Sequence, residues 1–172
     1  SAELTVEDVQ EMVASVSIDG DNPEDVAGAW LAESGVGDLT ATGDLTIGSA
    51  NFAESSVAAQ IYGQALEAAG VGVEYQPDIG SREVYWEALT NGEVDLIPEF
   101  TGSLLSFLDP EAELSPDVEE ILSTLRPLTE EAGVTIPEPA EADGVNTFVV
   151  TAETAAEYDL ATVSDLAEVP DS

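Results

Sequence analysis

At 172 residues the chain is long enough for one domain with a buried core, and 44% of its residues are apolar. It carries 37 acidic residues against two arginines, for a formal net charge of −35, which excludes nucleic acid and anionic membrane as partners. Because cysteine and histidine are absent, the sequence excludes disulfides, thiol catalysis, a Ser–His–Asp triad and metal sites built on either residue. We therefore predict no cofactor and no metal.

The acidic residues are spread along the whole chain rather than clustered. This distribution favours a solvated surface, suited to high salt in which self-repulsion is screened. A field that gathers cationic ligands is the alternative, and the two interpretations are compatible.

The amino-terminal part of the chain predicts two helices and a linker. Residues 4–16 carry a helical stripe of apolar residues behind a capping box that begins at Thr5. Asn22, followed by proline, predicts the start of a second helix, which ends near Gly35. Residues 35–44, rich in Gly, Thr and Asp, indicate a linker.

From residue 45 onwards, strand and helix patterns alternate. Strands are predicted at 45–49, 73–76, 94–97, 134–136 and 145–151. Helices are predicted at 57–68, ending at Gly70, after a cap at Ser81, after Ser115 and Pro116, and at 163–167. This alternation predicts an α/β fold with a mainly parallel sheet and helices on both faces.

Polar, small-residue turns follow the first three predicted strands, in IGSANFAES, after VEYQ and in IPEFTGS. The carboxyl ends of parallel strands share one edge of a sheet, where helix amino termini and free backbone N–H groups converge. The sequence therefore predicts a ligand site at this edge.

Four motifs, IGSANFAES, GSREVYWEAL, NGEVDLIPEFTGS and GVNTFVVT, resemble in order and spacing the substrate-binding proteins of glycine betaine, choline and carnitine ABC importers. The resemblance runs from about residue 45 to residue 166. It implies a two-lobed, type II periplasmic-binding-protein fold and a binding protein rather than an enzyme. It also implies a quaternary ammonium ligand, an ABC permease in the membrane as partner, and an extracytoplasmic location as a mature form without a signal peptide.

Residues 1–36 resemble the closing helices of the same family, so the resemblance implies a circularly permuted order. It implies helices that pack on the first lobe (1–36), a linker (37–44), the first-lobe core (45–142) and the start of an incomplete second lobe (143–172). An engineered chain, a split protein and a fragment of tandem domains would each give this order. A complementary chain or a homodimer would then be a further partner, and a half-receptor that binds no ligand alone is the alternative function.

The resemblance also implies a cage of aromatic rings around the ammonium group, because a quaternary nitrogen has no N–H to donate. The implied cage positions are Phe100, Ser103 and Phe148, and the other implied ligand-binding residues are Asn51, Phe52, Ser55, Ser81, Thr101 and Asn146. For Phe100 and Phe148 the alternative role is core packing. For Ser81 and Thr101 it is a helix cap, and for Arg82 it is a salt bridge on the acidic surface.

Two positions in the first turn depart from many relatives. Ala50 and Ser55 stand where those relatives have Lys and Gln, which tilts the prediction slightly from betaine toward a choline-like ligand. The two tryptophans, Trp30 and Trp86, are not predicted to bind the cation, and core packing is favoured for Trp30.

Overall fold

A computed structural model describes residues 4–35, 40–140, 142 and 149–169. In chain order the elements are α1 (Val6–Ala14) with a π-helical turn (Ser15–Asp19), α2 (Pro23–Ser34), β1 (Asp44–Gly48), α3 (Ala53–Ala69), β2 (Gly72–Gln76), α4 (Arg82–Thr90), α5 (Thr101–Leu108), α6 (Val118–Glu131), α7 (Ala152–Glu157) and a 3-10 helix (Val163–Glu168). The α/β prediction is thereby confirmed.

The described sheet is small and parallel. β1 pairs with β2 from Asp44 opposite Gly72 to Gly48 opposite Gln76, and α3 connects the two strands. Residues 94–97 lie on the other side of β1, where the Gly48 N–H donates to the Leu96 carbonyl at 2.8 Å. β1 is therefore the centre of this sheet.

The predicted third strand is reduced to a single parallel bridge between Ile47 and Leu96. The carboxylate of Asp95 accepts the Thr46 N–H at 2.8 Å, so this donor bonds a side chain instead of a ladder carbonyl. Pro98, which follows, has no N–H to extend the pairing. Side-chain capture and proline thus shorten the strand.

The predicted helix ends in the amino-terminal half are confirmed. Thr5 forms a capping box with Asp8, and the Asn22 side chain accepts the Glu24 N–H at 3.0 Å. α3 ends at Gly70, whose φ of 103° is left-handed and suits glycine. α1 differs from its prediction only in continuing through the π-helical turn to Asp19.

Two apolar clusters hold the described elements together. The first cluster joins α1, α2 and α3 through Met12, Ala27, Val57 and Ile61, with Trp30 packed against it. The second cluster joins α5 and α6 through Leu104, Leu105 and Leu125, with Trp86 and Phe107 packed against it. Core packing of Trp30 is confirmed, and Trp86 lies edge-on to Phe107 with ring centroids 6.5 Å apart.

Several predicted elements in the carboxyl half differ from the structure. Residues 134–136 are not a strand, because the Val134 N–H bonds the Thr129 carbonyl at 2.8 Å and closes the end of α6 instead. α6 itself begins after Asp117, which caps the Glu119 N–H, rather than at Ser115. The helix α7 was not predicted, and α5 was implied only by the helix cap considered for Thr101.

The last part of the chain is only partly described. Of the strand predicted at 145–151, residues 145–148 lie outside the described residues, and 149–151 are not in a strand. The helix predicted at 163–167 is present as a 3-10 helix with a capping box between Thr162 and Asp165.

Candidate functional site

Three turns meet at the carboxyl edge of the sheet: 49–52 after β1, 77–81 after β2, and 98–100 after the bridged segment. The first two turns are bonded directly, since the Ile79 N–H donates to the Ser49 carbonyl at 3.0 Å. The Ser49 N–H in turn donates to the Gln76 carbonyl at 3.1 Å. The predicted edge therefore exists as one connected surface.

Two phenylalanine rings stand together at this edge. Phe52 is the N-cap residue of α3 and Phe100 is the N-cap residue of α5. Their ring centroids are 6.4 Å apart with an interplanar angle of 29°, and the residues are 40% and 37% exposed. The fold thus brings two half-exposed aromatic faces from distant parts of the sequence into one stacked pair.

Such a pair can attract a cation, because the face of an aromatic ring carries negative quadrupole charge and acts within about 6 Å of the ring centroid. The two rings are stacked with their centroids 6.4 Å apart, so a cation can approach the outward face of either ring. The same place also lies at the start of two helices, where the partial positive charge of the helix favours an anionic group.

The other predicted residues at the first turn differ in exposure. Asn51 is exposed beside Phe52. Ser55 is 2% exposed, and its hydroxyl accepts the N–H of Ala50, itself 2% exposed, at 2.9 Å. Ser55 therefore lies beneath the turn and stabilises it, which differs from the predicted ligand contact.

The polar residues at the starts of α4 and α5 are placed as follows. Ser103 is exposed on the first turn of α5, and Thr101 is the first helical residue rather than the predicted cap, which is Phe100. Ser81 occupies the N-cap position of α4, but its hydroxyl donates to Glu83 at 2.6 Å and does not cap a backbone N–H. Phe148 and Asn146 lie outside the described residues.

Next to the ring pair, the carboxylate of Glu99, which was not among the predicted site residues, has four hydrogen-bond donors around it. The guanidinium of Arg82 grips Glu99 with two bonds, Nε to Oε1 at 2.6 Å and Nη2 to Oε2 at 3.2 Å. The Tyr85 hydroxyl also donates to Glu99 Oε1, and the Phe100 N–H donates to Oε2 at 2.7 Å. We refer to Glu99, Arg82, Tyr85 and the Phe100 N–H as the Glu99 network.

Two side chains of the Glu99 network, Arg82 and Tyr85, have a raised pKa. Hydrogen bonding to Glu99 is the main cause that raises the pKa of Arg82. Burial, followed by the hydrogen bond to Glu99, raises the pKa of the Tyr85 hydroxyl. The salt-bridge interpretation of Arg82 is confirmed, whereas no short-range pattern in the sequence pointed to Glu99 or Tyr85.

The described residues contain no group of three or more acidic side chains arranged to hold a metal ion. Within these same ranges, no helix combines the length and apolar character that a membrane crossing requires.

An α/β lobe with a parallel sheet and a turn cluster at its carboxyl edge is the architecture of one lobe of the type II periplasmic-binding-protein fold. Residues 43–172 match the family described as the substrate binding domain of ABC-type glycine betaine transport system, and the chain belongs to this family. Proteins of the family bind a small ligand outside the cytoplasm and work with an ABC permease. The match begins at residue 43, so α1 and α2 lie outside it.

Proposed function

We propose that this chain captures a quaternary ammonium osmolyte, namely glycine betaine, carnitine or choline, and presents it to its permease. The observation that carries the proposal is the stacked, half-exposed pair of Phe52 and Phe100 at the carboxyl edge of the sheet. A trimethylammonium group has no N–H, so aromatic faces are the protein groups that can enclose it, at about 0.5–2 kcal/mol for each contact.

The surroundings of the ring pair support a zwitterionic ligand over choline. α5 begins at Thr101 and has no acidic residue in its first turn. The Phe100 N–H is bonded to Glu99, so a ligand carboxylate would meet the N–H groups of the helical turn that follows. The sequence comparison that favours choline concerns Ala50 and Ser55, and both are buried beneath the surface. Glycine betaine and carnitine carry the two charges that the rings and the helix terminus attract, whereas choline carries one.

The proposed roles follow from exposure. Phe52 and Phe100 supply the aromatic faces, and Asn51 and Ser103 supply exposed polar groups beside them. The resemblance to the family adds Phe148 and Asn146 to the proposed site, while Ser81 and Thr101 stand at its border as helix-start residues.

Isothermal titration calorimetry of the chain with glycine betaine, carnitine and choline tests this function. We expect Phe100→Ala and Phe52→Ala each to weaken binding by at least tenfold, since each removes one aromatic face. Tyr62→Ala is the matched control, because Tyr62 is 41% exposed on α3 but lies away from the turns. Unchanged affinity in both phenylalanine variants would remove the ring pair from the site.

A half-receptor that binds no ligand alone is the alternative function, and it would pair with a complementary chain or a second copy. The exposed rings also favour association, because exposed apolar surface is removed from water at an interface. Light scattering during size-exclusion chromatography separates the two functions. A folded chain that gives no heat with any of the three ligands but self-associates would support the half-receptor.

For the domain order, we propose that residues 1–36 serve as closing helices on the first lobe, in a permuted arrangement. The packing of α1 and α2 against α3 in the first cluster supports this proposal. So does the bond from the Gln64 side chain on α3 to the Glu24 carbonyl on α2, at 2.9 Å.

A further inference from the structure

We propose that Glu99 is a positioning residue that fixes the ring of Phe100 against Phe52 and so sets the aromatic surface of the site. The inference rests on the proposed function for its consequence in ligand binding, but the positioning can be measured without a ligand. It comes from the Glu99 network, which connects α4 to Phe100, the N-cap residue of α5.

The Glu99 carboxylate has no acceptor capacity left. An ionised carboxylate offers about four lone-pair sites. Oε1 accepts from Arg82 Nε and the Tyr85 hydroxyl, and Oε2 accepts from Arg82 Nη2 and the Phe100 N–H. Glu99 therefore has no free site for a ligand donor, and its role is to hold the protein groups around it.

The side-chain partners of Glu99, Arg82 and Tyr85, are wholly or largely buried. Tyr85 is 3% exposed on α4, and the side chains of Arg82 and Glu99 are 25% and 15% exposed. The planar guanidinium fork binds a carboxylate in one orientation, which removes the rotational freedom that a single bond would leave. The orientation of α4 is thus transmitted through Glu99 to the backbone of Phe100.

The two arginines of the chain form ion pairs of different length and exposure. The chain has only two arginines, and one of them is bonded to this carboxylate, adjacent in sequence to the exposed ring. The second arginine, Arg126 on α6, makes a longer and more exposed pair with Glu138, at 3.7 Å. This difference provides a matched control, because either substitution by glutamine removes one positive charge.

The test compares Glu99→Gln, Arg82→Gln and Arg126→Gln in the full chain, with circular dichroism to verify folding. Nuclear Overhauser effects between the Phe52 and Phe100 rings report the ring contact, and hydrogen exchange reports the Phe100 N–H. In Glu99→Gln and Arg82→Gln we expect the intensity of the Overhauser effects between the two rings to fall at least twofold. We expect the exchange rate of the Phe100 N–H to rise at least tenfold. Arg126→Gln should change neither. Tyr85→Phe, which removes one bond of the network, should give a smaller change of the same kind.

Calorimetry with glycine betaine is the second arm, in which we expect at least a fivefold loss of affinity in Glu99→Gln and Arg82→Gln but not in Arg126→Gln. A ring contact and an exchange rate that stay unchanged in folded Glu99→Gln and Arg82→Gln would overturn the positioning role. A wild-type chain that binds none of the three ligands would count against the proposed function alone, because the ring and exchange measurements still decide whether Glu99 positions Phe100. If Glu99→Gln does not fold, the same ring and exchange measurements on Arg82→Gln and Tyr85→Phe test the positioning role.

Discussion

At the scale of single residues, the contact between Tyr75 on β2 and Gly63 on α3 shows how closely the helix lies on the sheet. A Cβ atom at position 63 would be 2.3 Å from the Tyr75 hydroxyl oxygen and 2.4 Å from Cε1 of the ring. The same hydroxyl donates to Glu67 at 3.1 Å, and burial is the main cause that raises the pKa of Tyr75. The ring is therefore in contact with the backbone of α3 at Gly63 and bonded to Glu67 one turn further along the helix.

We expect Gly63→Ala to destabilise the protein by roughly 1–3 kcal/mol, the usual cost of forcing extra volume into a packed contact. Gly102→Ala on α5 is the matched control, because a Cβ there meets only Ile121 Cδ1 at 3.8 Å, an ordinary contact. Since alanine favours a helix over glycine, the control should be neutral or slightly stabilising. Urea denaturation followed by circular dichroism measures both. Equal stability of the two variants would contradict the tight contact.

The Glu99 network belongs to the same scale and links residue chemistry to the site. In the proposed role, the Glu99 carboxylate orients the Phe100 ring relative to α4, because Arg82 and Tyr85, which bond Glu99, both lie on that helix. A residue outside the proposed ligand contacts would thereby control the proposed binding surface.

At the scale of elements, the described chain contains two helix groups in addition to a small sheet segment. α1 and α2 pack on α3 through the first cluster, and α5 packs on α6 through the second cluster. The two clusters share no buried residue, so each group depends on its own apolar contacts.

This division predicts local rather than uniform effects of core truncation. Ile61→Ala in the first cluster and Leu125→Ala in the second should each cost roughly 2–5 kcal/mol, since both side chains are buried. Hydrogen exchange by mass spectrometry should show faster exchange in α1 and α2 for Ile61→Ala, and in α5 and α6 for Leu125→Ala. Each variant is the control for the other. If both variants accelerate exchange in the same helices, the two clusters do not stabilise separate groups of helices.

At the scale of the whole molecule, charge is the dominant feature. Both arginines are already paired, to Glu99 and Glu138, so they cannot neutralise the remaining acidic residues of a chain with a net charge of −35. Ions in solution are then the agents that reduce the repulsion, and the Debye length falls from about 10 Å at 0.1 M salt to about 3 Å at 1 M.

We therefore expect the melting temperature to rise by several degrees between 0.1 M and 1 M sodium chloride. A gain of 1 kcal/mol corresponds to about 2–4 °C for a chain of this size. Differential scanning calorimetry measures the rise, and sucrose at equal osmolality is the control because it screens no charge. A rise that sucrose reproduces would show that preferential exclusion, not screening, stabilises the fold.

The amino-acid sequence by itself determined the features that depend on neighbouring residues. The caps at Thr5 and Asn22, the stop at Gly70 and the parallel arrangement of β1 and β2 were all predicted, because each follows from short-range bonding or periodicity. The family followed from motifs that are each continuous in sequence.

Only the tertiary structure decided the features in which distant residues meet. It shortened the third strand through Asp95, buried Ser55 beneath its turn, and stacked Phe52 on Phe100. It also revealed that Glu99 is held by Arg82, seventeen residues away. Local propensity carries no information on such contacts, because their energy comes from packing and hydrogen bonds that exist only once the separate elements have come together.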